Sequence, residues 1–287
     1  MGLTGKIWHQ ALCAVVAMWL ASGCATAPRQ LTFAELGQRG RSAGMETCQI
    51  EGELFTLAAL APARPHANVL RVYIEGDGLA WRTRRLLSAH PSPVNPTALN
   101  LMLADPTLHK AYLARPCQYL QTKACHPRYW STHPFSPEVI AEMDRALDAL
   151  KARGGYGRLE LVGFSGGGAV AALLSAGRDD VDSLTTVAGN LDTVAFCRIH
   201  GLPPLAASLN PADIAGRLAS IPQRHFVGKG DAVIPPAVYD SFASGMAPYR
   251  PPLPVLVDHV THQGGWVELW PSLLRAHRPE PCGSPHP

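Results

Sequence analysis

The sequence predicts an α/β fold in which a mostly parallel sheet is covered by helices on both faces. Three observations predict this fold. Short apolar runs bounded by Gly and Pro have the length of strands, amphipathic stretches of helical length lie between them, and no segment of the chain repeats another. Because parallel strands need crossover connections, which are usually helices, this alternation favours a parallel sheet.

The first strand and the loop after it are predicted within residues 69–78. Val69 to Ile74 form an apolar run that ends directly at Glu75-Gly76-Asp77-Gly78, whose two glycines indicate a loop. Residues 110–118 predict the next strand, which would end at Arg115-Pro116-Cys117.

The clearest helix signal begins at Ser136-Pro137-Glu138. Serine is a good N-cap, proline fits the first turn, and glutamate complements the helix dipole. Apolar residues then recur at intervals of three and four until Gly154-Gly155 ends the helix. The residues of this buried face are Val139, Met143, Ala146, Leu147 and Leu150.

The second half of the chain continues the alternation. Residues 159–162 predict a strand, and residues 166–177 predict a helix of small residues. Residues 191–214 interrupt this alternation of strands and helices, and we interpret them as a cap segment over the edge of the sheet. Further strands are predicted at 183–188, 225–228 and 255–260, and further helices near Val238 and at 266–276.

The composition excludes several classes of protein. Of the 287 residues, 47% are hydrophobic and only 16% are charged, which is too apolar for a disordered chain. No apolar run after the first 30 residues approaches the roughly 20 residues that span a bilayer, so a polytopic membrane protein is excluded. The net charge of +3 is too small to imply a nucleic-acid partner, and no Lys/Arg stretch resembles a patch that follows a phosphate backbone.

The N-terminal residues predict an exported protein. Lys6 precedes a mostly apolar run over residues 7–22, as in a secretory signal peptide. Leu20-Ala21-Ser22-Gly23-Cys24 then resembles the lipobox of bacterial lipoproteins, in which the cysteine is lipidated and becomes the mature N-terminus. A plain signal peptide or a single anchoring helix is the alternative.

The lipobox resemblance implies a division of the chain and a location. Residues 1–23 would be the signal peptide, and residues 24–47 a weakly structured tether before a hydrolase-type domain at 48–287. The lipid on Cys24 would anchor the protein to the bacterial envelope. Since Ala25 is not Asp, the resemblance favours the outer membrane, facing the periplasm.

Export also determines how the remaining cysteines are interpreted. In an oxidising compartment they are candidates for disulfides, and we expect Cys117 to pair with Cys125 because the two are close in sequence. Five cysteines follow Cys24, and this odd number leaves at least one thiol without a partner in the chain. No paired CxxC or HExxH spacing is present, so neither a metal nor a cofactor is predicted. The five cysteines are Cys48, Cys117, Cys125, Cys197 and Cys282.

The strongest chemical signal is Gly163-Phe164-Ser165-Gly166-Gly167, a G-x-S-x-G motif between a predicted strand and a predicted helix. A serine on such a turn has strained dihedral angles, so small neighbours are needed. The turn raises the hydroxyl above the sheet, beside N–H groups at a helix N-terminus that can stabilise an oxyanion. A glycine-rich helix start that packs on a strand, or holds a phosphate, is the alternative.

An acid and a base follow in the order that this chemistry uses. Asp231 lies in a Gly-x-Gly-Asp turn just after one predicted strand, and His259 and His262 lie at or after the last one. With Ser165 and this order, residues from about 48 to 276 resemble the α/β-hydrolase superfamily of serine hydrolases. The resemblance implies a catalytic triad of Ser165, His262 and Asp231.

Two members of the triad have alternatives. His259 is predicted to lie on the strand itself, where a hydrogen-bonded core histidine is expected, whereas His262 lies in the loop before Gly264. Asp192 also follows a predicted strand and is the alternative acid.

The oxyanion hole is predicted to use the backbone N–H groups of Asp77 and Gly166. The superfamily often has His-Gly where this chain has Glu75-Gly76. The Asp77 carboxylate would oppose a developing negative charge unless it is turned away or hydrogen-bonded. It is alternatively a ligand for a cationic or hydroxylated substrate group, or a structural acid of the turn. With residues 115–119 and 208–211, this loop is similar to a subgroup of bacterial lipoprotein hydrolases.

The function implied is a serine hydrolase that cleaves a small-molecule carboxylic ester or thioester through an acyl-enzyme, without a cofactor. A catalytically silent envelope-binding or scaffold lipoprotein with the same fold, or a serine peptidase, is the alternative.

Overall fold

The computed structural model describes residues 29–64, 67–280 and 282 of the chain. Ten strands are present in this part: β1 (Met45–Glu51), β2 (Thr56–Pro62), β3 (Val69–Ile74), β4 (Trp81–Thr83), β5 (Leu86–Leu87), β6 (Lys110–Leu113), β7 (Arg158–Phe164), β8 (Val181–Val187), β9 (Gln223–Gly228) and β10 (Val255–Val257). The helices are α1 (Phe33–Ser42), α2 (Thr97–Ala104), α3 (Pro137–Gly154), α4 (Gly166–Ser175), α5 (Thr193–His200), α6 (Pro236–Ser244) and α7 (Trp266–Ala276). Two 3₁₀ helices span Pro127–Trp130 and Pro211–Leu218.

Eight of the strands form one sheet in the order β1-β2-β6-β3-β7-β8-β9-β10. β1 is antiparallel to β2, and β2 is antiparallel to β6. The six strands from β6 to β10 are parallel to one another. The structure therefore confirms a mostly parallel sheet.

Apolar cores lie on both faces of this sheet. Side chains of a strand alternate between its faces, so Leu70, Val72 and Ile74 of β3 pack in one core while Tyr73 packs in the other. The first core includes residues of α3, α4 and α6, and the second includes residues of α1, α2 and α7. This confirms the expectation of helices on both faces.

The segment expected to be a weakly structured tether is ordered from residue 29 onward. Thr32 and Glu35 form a capping box at the start of α1, and Leu36 is fully buried. A methyl group on Gly40 would lie 2.6 Å from Leu60 Cδ2, so this glycine allows α1 to pack closely on β2. Glycine disfavours helices in isolation, which explains why the sequence did not indicate α1.

Residues 1–28 lie outside the described residues, and with them the expected signal peptide and the lipidation site Cys24. Within the described part of the chain, no helix has the length and apolarity needed to cross a membrane.

Several other elements differ from the sequence-based expectations. β6 ends at Leu113 rather than near 118, because Cys117 and Tyr119 have φ angles of 66° and 64° that no strand allows. β10 ends at Val257, and His259 has a φ of 60° in the loop beyond it. The antiparallel strands β1 and β2, the helix α2 and the β4–β5 hairpin were not expected.

Candidate active site

Ser165 lies on a sharp turn between β7 and α4. Its φ of 53° and ψ of −121° are strained for a residue with a side chain. The turn is held by its neighbours: Ser165 N donates to Val187 O at 3.0 Å, and Asn190 N donates to Ser165 O at 3.0 Å. The sequence therefore folds here as the nucleophile turn that the motif predicts.

The glycines of the motif are required by close backbone contacts. A methyl group on Gly163 would lie 2.2 Å from the carbonyl oxygen of Gly167. A methyl group on Gly167 would lie 2.3 Å from the carbonyl oxygen of Ile74. Both distances are far below van der Waals contact, so β7 can approach the start of α4, and α4 can approach β3, only without side chains at these two positions.

The structure brings Ser165, His262 and Asp231 together in a hydrogen-bonded chain. His262 Nε2 lies 3.0 Å from Ser165 Oγ, and His262 Nδ1 lies 2.8 Å from Asp231 Oδ2. An ionised carboxylate only accepts hydrogen bonds, so Asp231 assigns the proton to Nδ1. Nε2 is then unprotonated and can accept the proton of the serine hydroxyl.

Asp231 is fixed by the turn that carries it. Its Oδ1 accepts hydrogen bonds from Val233 N at 2.8 Å and from Ile234 N at 2.9 Å. Burial by itself would raise the pKa of this carboxyl, but the hydrogen bonds from His262 and the two N–H groups outweigh burial and lower it. Asp231 is therefore a carboxylate at neutral pH.

The two alternatives to the triad have other positions. His259 is exposed in the loop after β10, so the expectation that it is a core histidine on the strand is wrong. Asp192 is the N-cap of α5, where its Oδ1 accepts from Val194 N and Ala195 N at 3.0 Å each. Its Oδ2 accepts from Ser241 Oγ at 2.6 Å. Asp192 has no hydrogen bond to His262 among those of the described residues.

The loop after β3 packs against the serine turn. A methyl group on Gly76 would lie 3.4 Å from Ser165 Cβ, and one on Gly166 would lie 2.3 Å from Asp77 Oδ1. Neither Asp77 N nor Gly166 N donates to an acceptor among the described residues. Both N–H groups are therefore available near Ser165, although the oxyanion hole itself remains a prediction.

The Asp77 carboxylate is paired with a buried arginine. Arg115 Nη1 lies 3.3 Å from Asp77 Oδ1, and Arg115 Nη2 donates to the carbonyl oxygen of Pro134. Burial lowers the pKa of Arg115, although Asp77 opposes this effect. The ion pair partly neutralises the negative charge beside Gly166, which answers the electrostatic objection to an aspartate at this position.

Gln118 also holds the loop after β3, and a disulfide closes the segment that contains Gln118. Gln118 Nε2 donates to Gly76 O at 2.8 Å, and its Oε1 accepts from Arg115 N at 3.0 Å. Cys117 and Cys125 form a disulfide with a Cα–Cα distance of 5.7 Å, which confirms the expected pair. Neither Arg115 nor Gln118 was predicted to act on the site, since both act through residues distant in sequence.

Glu75 is buried beneath this loop and caps a helix. Its carboxyl accepts hydrogen bonds from Gly76 N at 3.0 Å, Ala98 N at 3.2 Å and Leu99 N at 3.4 Å, and from Tyr112 Oη at 3.2 Å. The N-cap of α2 is Pro96, which has no side-chain acceptor, so Glu75 replaces that function. Burial raises the pKa of Glu75 to about 7 against the effect of these hydrogen bonds.

The expected cap segment, residues 191–214, contains α5 and the start of the second 3₁₀ helix. It begins just after β8 and is joined to residues 132–135, because Leu209 N donates to Phe135 O at 2.9 Å. His200 Nε2 also lies 2.8 Å from Val233 O, beside the Asp231 turn. Its role as a cap stays a prediction.

No cluster of three His, Cys, Asp or Glu side chains within residues 29–64, 67–280 and 282 could hold a metal ion. The unpaired cysteines of this part, Cys48, Cys197 and Cys282, lie apart from the triad contacts described above.

Comparison with known proteins supports the fold. No family model matches the sequence. No curated protein matches it either. Among solved structures, an alpha-beta serine hydrolase homologue from Coxiella burnetii superposes with a TM-score of 0.56 at 17% identity, covering 81% of this chain and 97% of that one.

Two further structures have the same level of similarity. A putative lipase from Acinetobacter baumannii AYE has a TM-score of 0.56 at 14% identity and covers 88% of this chain and 97% of its own. A puromycin-hydrolyzing peptidase from Mycobacterium tuberculosis has a TM-score of 0.56 at 17% identity, over 81% of this chain but only 38% of that chain. At these identities the likeness shows that the chain has the α/β-hydrolase fold.

Proposed function

We propose that the chain is a serine hydrolase that cleaves carboxylic esters or thioesters through an acyl-enzyme. The observation that carries this proposal is the hydrogen-bonded chain from Ser165 Oγ through His262 to Asp231, with distances of 3.0 and 2.8 Å. A strained serine at the start of a helix, beside two unpaired N–H groups, supports the same chemistry.

The reaction follows from the positions of the atoms. Ser165 Oγ attacks the substrate carbonyl while its proton moves to His262 Nε2, and Asp231 stabilises the imidazolium that forms. The N–H groups of Asp77 and Gly166 donate to the oxyanion. His262 then protonates the leaving alcohol or thiol, and a water molecule, activated by the same nitrogen, releases the acyl group from Ser165.

Solved structures with this fold include proteins described as a putative lipase and as a puromycin-hydrolyzing peptidase. The peptidase likeness is confined to 38% of that protein, whereas the lipase matches over 97% of its length. We therefore favour ester substrates over peptides.

The decisive experiment uses a fluorophosphonate probe, which forms a covalent bond with an activated serine. We expect the wild-type chain to be labelled and Ser165→Ala not to be labelled. His259→Ala is the matched control, since this histidine is exposed and lies three residues from His262; it should be labelled like the wild type. If the wild type and Ser165→Ala were labelled equally, or if neither were labelled, the proposal would be refuted and a binding or scaffold protein favoured.

The substrate class is tested with p-nitrophenyl esters of increasing acyl length, and with p-nitroanilides of the same acyl groups. Hydrolysis of the esters alone supports an esterase. Faster turnover of the anilides would instead support the peptidase alternative.

We also propose that Cys24 carries a lipid that anchors the protein to the bacterial envelope, at the outer membrane and facing the periplasm. The lipobox-like residues before Cys24 support this. Growth with an alkyne analogue of palmitate should label the wild-type chain, and Cys24→Ala should be unlabelled and absent from the membrane fraction. Labelling of both chains would exclude Cys24 as the lipidation site.

A further inference from the structure

The β4–β5 hairpin projects from the domain between Gly78 and Ser88. All six residues from 81 to 86 are exposed, including Trp81 at 46% and Leu86 at 56% of their full areas. Ser88 N donates to Ala80 O at 3.0 Å and closes the base of the hairpin. A defined structural element thus presents large apolar side chains to solvent, which often marks an interaction site.

The same hairpin carries three arginines, Arg82, Arg84 and Arg85. None of them belongs to an ion pair with a carboxylate in the described part of the chain. Three positive charges without a carboxylate partner therefore lie between Trp81 and Leu86 in the sequence of the hairpin. Indole and guanidinium groups are the side chains that favour the boundary between lipid headgroups and water.

The hairpin lies close to the candidate active site along the chain. Trp81 follows Asp77 by four residues, at most about 14 Å of extended chain, and the Asp77 carboxylate lies against Gly166 beside Ser165. A methyl group on Gly78 would lie 1.9 Å from Pro91 O, so the two ends of residues 78–91 are packed together. The hairpin is thus attached to the rim of the Ser165 site.

The N-terminal segment joins the domain at the same place. Gln30 Nε2 donates to His90 O and to Ser92 O at 2.7 Å each, and Leu31 N donates to Pro93 O at 2.9 Å. Cys24 precedes Gln30 by six residues, a span of at most about 20 Å. A lipid on Cys24 would therefore place a membrane on the side of the molecule that carries the hairpin.

We propose that the β4–β5 hairpin docks on the surface of a bilayer that contains anionic phospholipids. The three arginines bind the phosphate groups, and Trp81 and Leu86 enter the headgroup region. Docking turns the rim of the Ser165 site toward the bilayer, so the substrates within reach are acyl esters of membrane lipids. The choice of substrate rests on the proposed hydrolase activity, and the orientation of the membrane on the proposed lipid, whereas the contact of the hairpin with an anionic bilayer does not depend on catalysis.

The contact is tested by hydrogen exchange of the backbone over residues 79–88. The full chain carries Ser165→Ala, so that lipid hydrolysis plays no part and the result does not depend on catalysis. Vesicles in excess are either pure phosphatidylcholine or contain about one third phosphatidylglycerol. Each arginine at an anionic surface strengthens binding by about fivefold, and we expect exchange of the hairpin to be slowed by about tenfold or more on the anionic vesicles only.

Two triple variants separate the hairpin from the overall charge of the protein. The hairpin variant should lose the slowing, and the control variant, which has the same net charge, should keep it. The control residues are exposed and lie around the amino-terminal ends of the parallel strands. The hairpin variant is Arg82→Gln, Arg84→Gln and Arg85→Gln; the control variant is Arg64→Gln, Arg275→Gln and Arg278→Gln.

The outcomes decide the proposal in either direction. The proposal would be overturned if the hairpin exchanged hydrogen at the same rate on both kinds of vesicle. It would also be overturned if anionic vesicles no longer slowed exchange in either triple variant. Loss of slowing in the hairpin variant and a smaller slowing in Trp81→Ala would support it, even if the fluorophosphonate experiment failed.

Discussion

Replacing Glu75 by glutamine should remove part of the pH dependence of folding. Glu75 is fully buried, and burial raises its pKa to about 7. In the unfolded chain a glutamate has a pKa of about 4.3. The folded protein therefore binds this proton more tightly than the unfolded chain does, and its stability falls as the pH rises from about 4.3 to about 7.

The magnitude follows from the size of the pKa difference. Each pH unit in that window costs about 1.4 kcal/mol, so raising the pH from about 5 to above 7 costs about 2 to 3 kcal/mol. Glutamine cannot ionise and keeps nearly the same shape. The free energy of unfolding of Glu75→Gln, relative to the wild type, should increase by this amount between about pH 5 and pH 8.

The assay is urea denaturation of both proteins at the two pH values. His225 has the opposite effect, because burial lowers its pKa to about 3 and its neutral form is favoured in the fold. That effect is common to both proteins and cancels in the difference between them. Glu268→Gln, at an exposed position of α7, is the matched control. A difference between wild type and Glu75→Gln that is the same at both pH values would refute the reasoning.

Three further predictions concern the site and its supports. His262→Ala should lower kcat for an ester by at least about a thousandfold, while the kcat of His259→Ala should stay within about twofold of the wild type. Similar losses of kcat in steady-state assays of both variants would contradict the assignment of His262 as the base. Asp231→Asn should reduce kcat by about a thousandfold or more. Asp192→Ala should keep its activity and lose about 1 to 2 kcal/mol of stability, because α5 loses its N-cap. The reverse pattern in activity assays and urea titrations would make Asp192 the catalytic acid. The double variant Cys117→Ser, Cys125→Ser should lose about 2 to 3 kcal/mol of free energy of unfolding, because the disulfide closes a short loop. Cys282→Ser is the control for the loss of a thiol. Equal stability of the double variant and the control would exclude this contribution of the disulfide.

The serine turn and its partners were predictable because their determinants are local. The strand, the glycines and the helix around Ser165 are adjacent in the sequence. Asp231 and His262 each follow the end of a parallel strand, and such ends meet at one edge of a sheet. These strand ends, together with the resemblance that the order of serine, acid and histidine carries, made it possible to expect the three side chains near one another.

The remaining parts depend on contacts between distant segments. Arg115 is 38 residues from Asp77 in the chain, and Leu99 N is 24 residues from the Glu75 carboxyl that accepts its hydrogen bond. No periodicity or local motif marks such pairs. The antiparallel pairing of β1 with β2 is also a tertiary contact, and α1 contains two glycines that have no helix signal of their own. These features became visible only with the packing.

The bond between Cys117 and Cys125 closes a segment that contains Gln118 and begins two residues after Arg115, and both of these side chains contact the loop around Asp77. Such bonds persist outside the cytoplasm and are rare within it. A chain in a reducing compartment would lack this bond, and with it part of the support of the loop beside Ser165. On the proposed export of the chain, the bond would form only after the chain has left the cytoplasm, and the loop beside Ser165 would gain this support there.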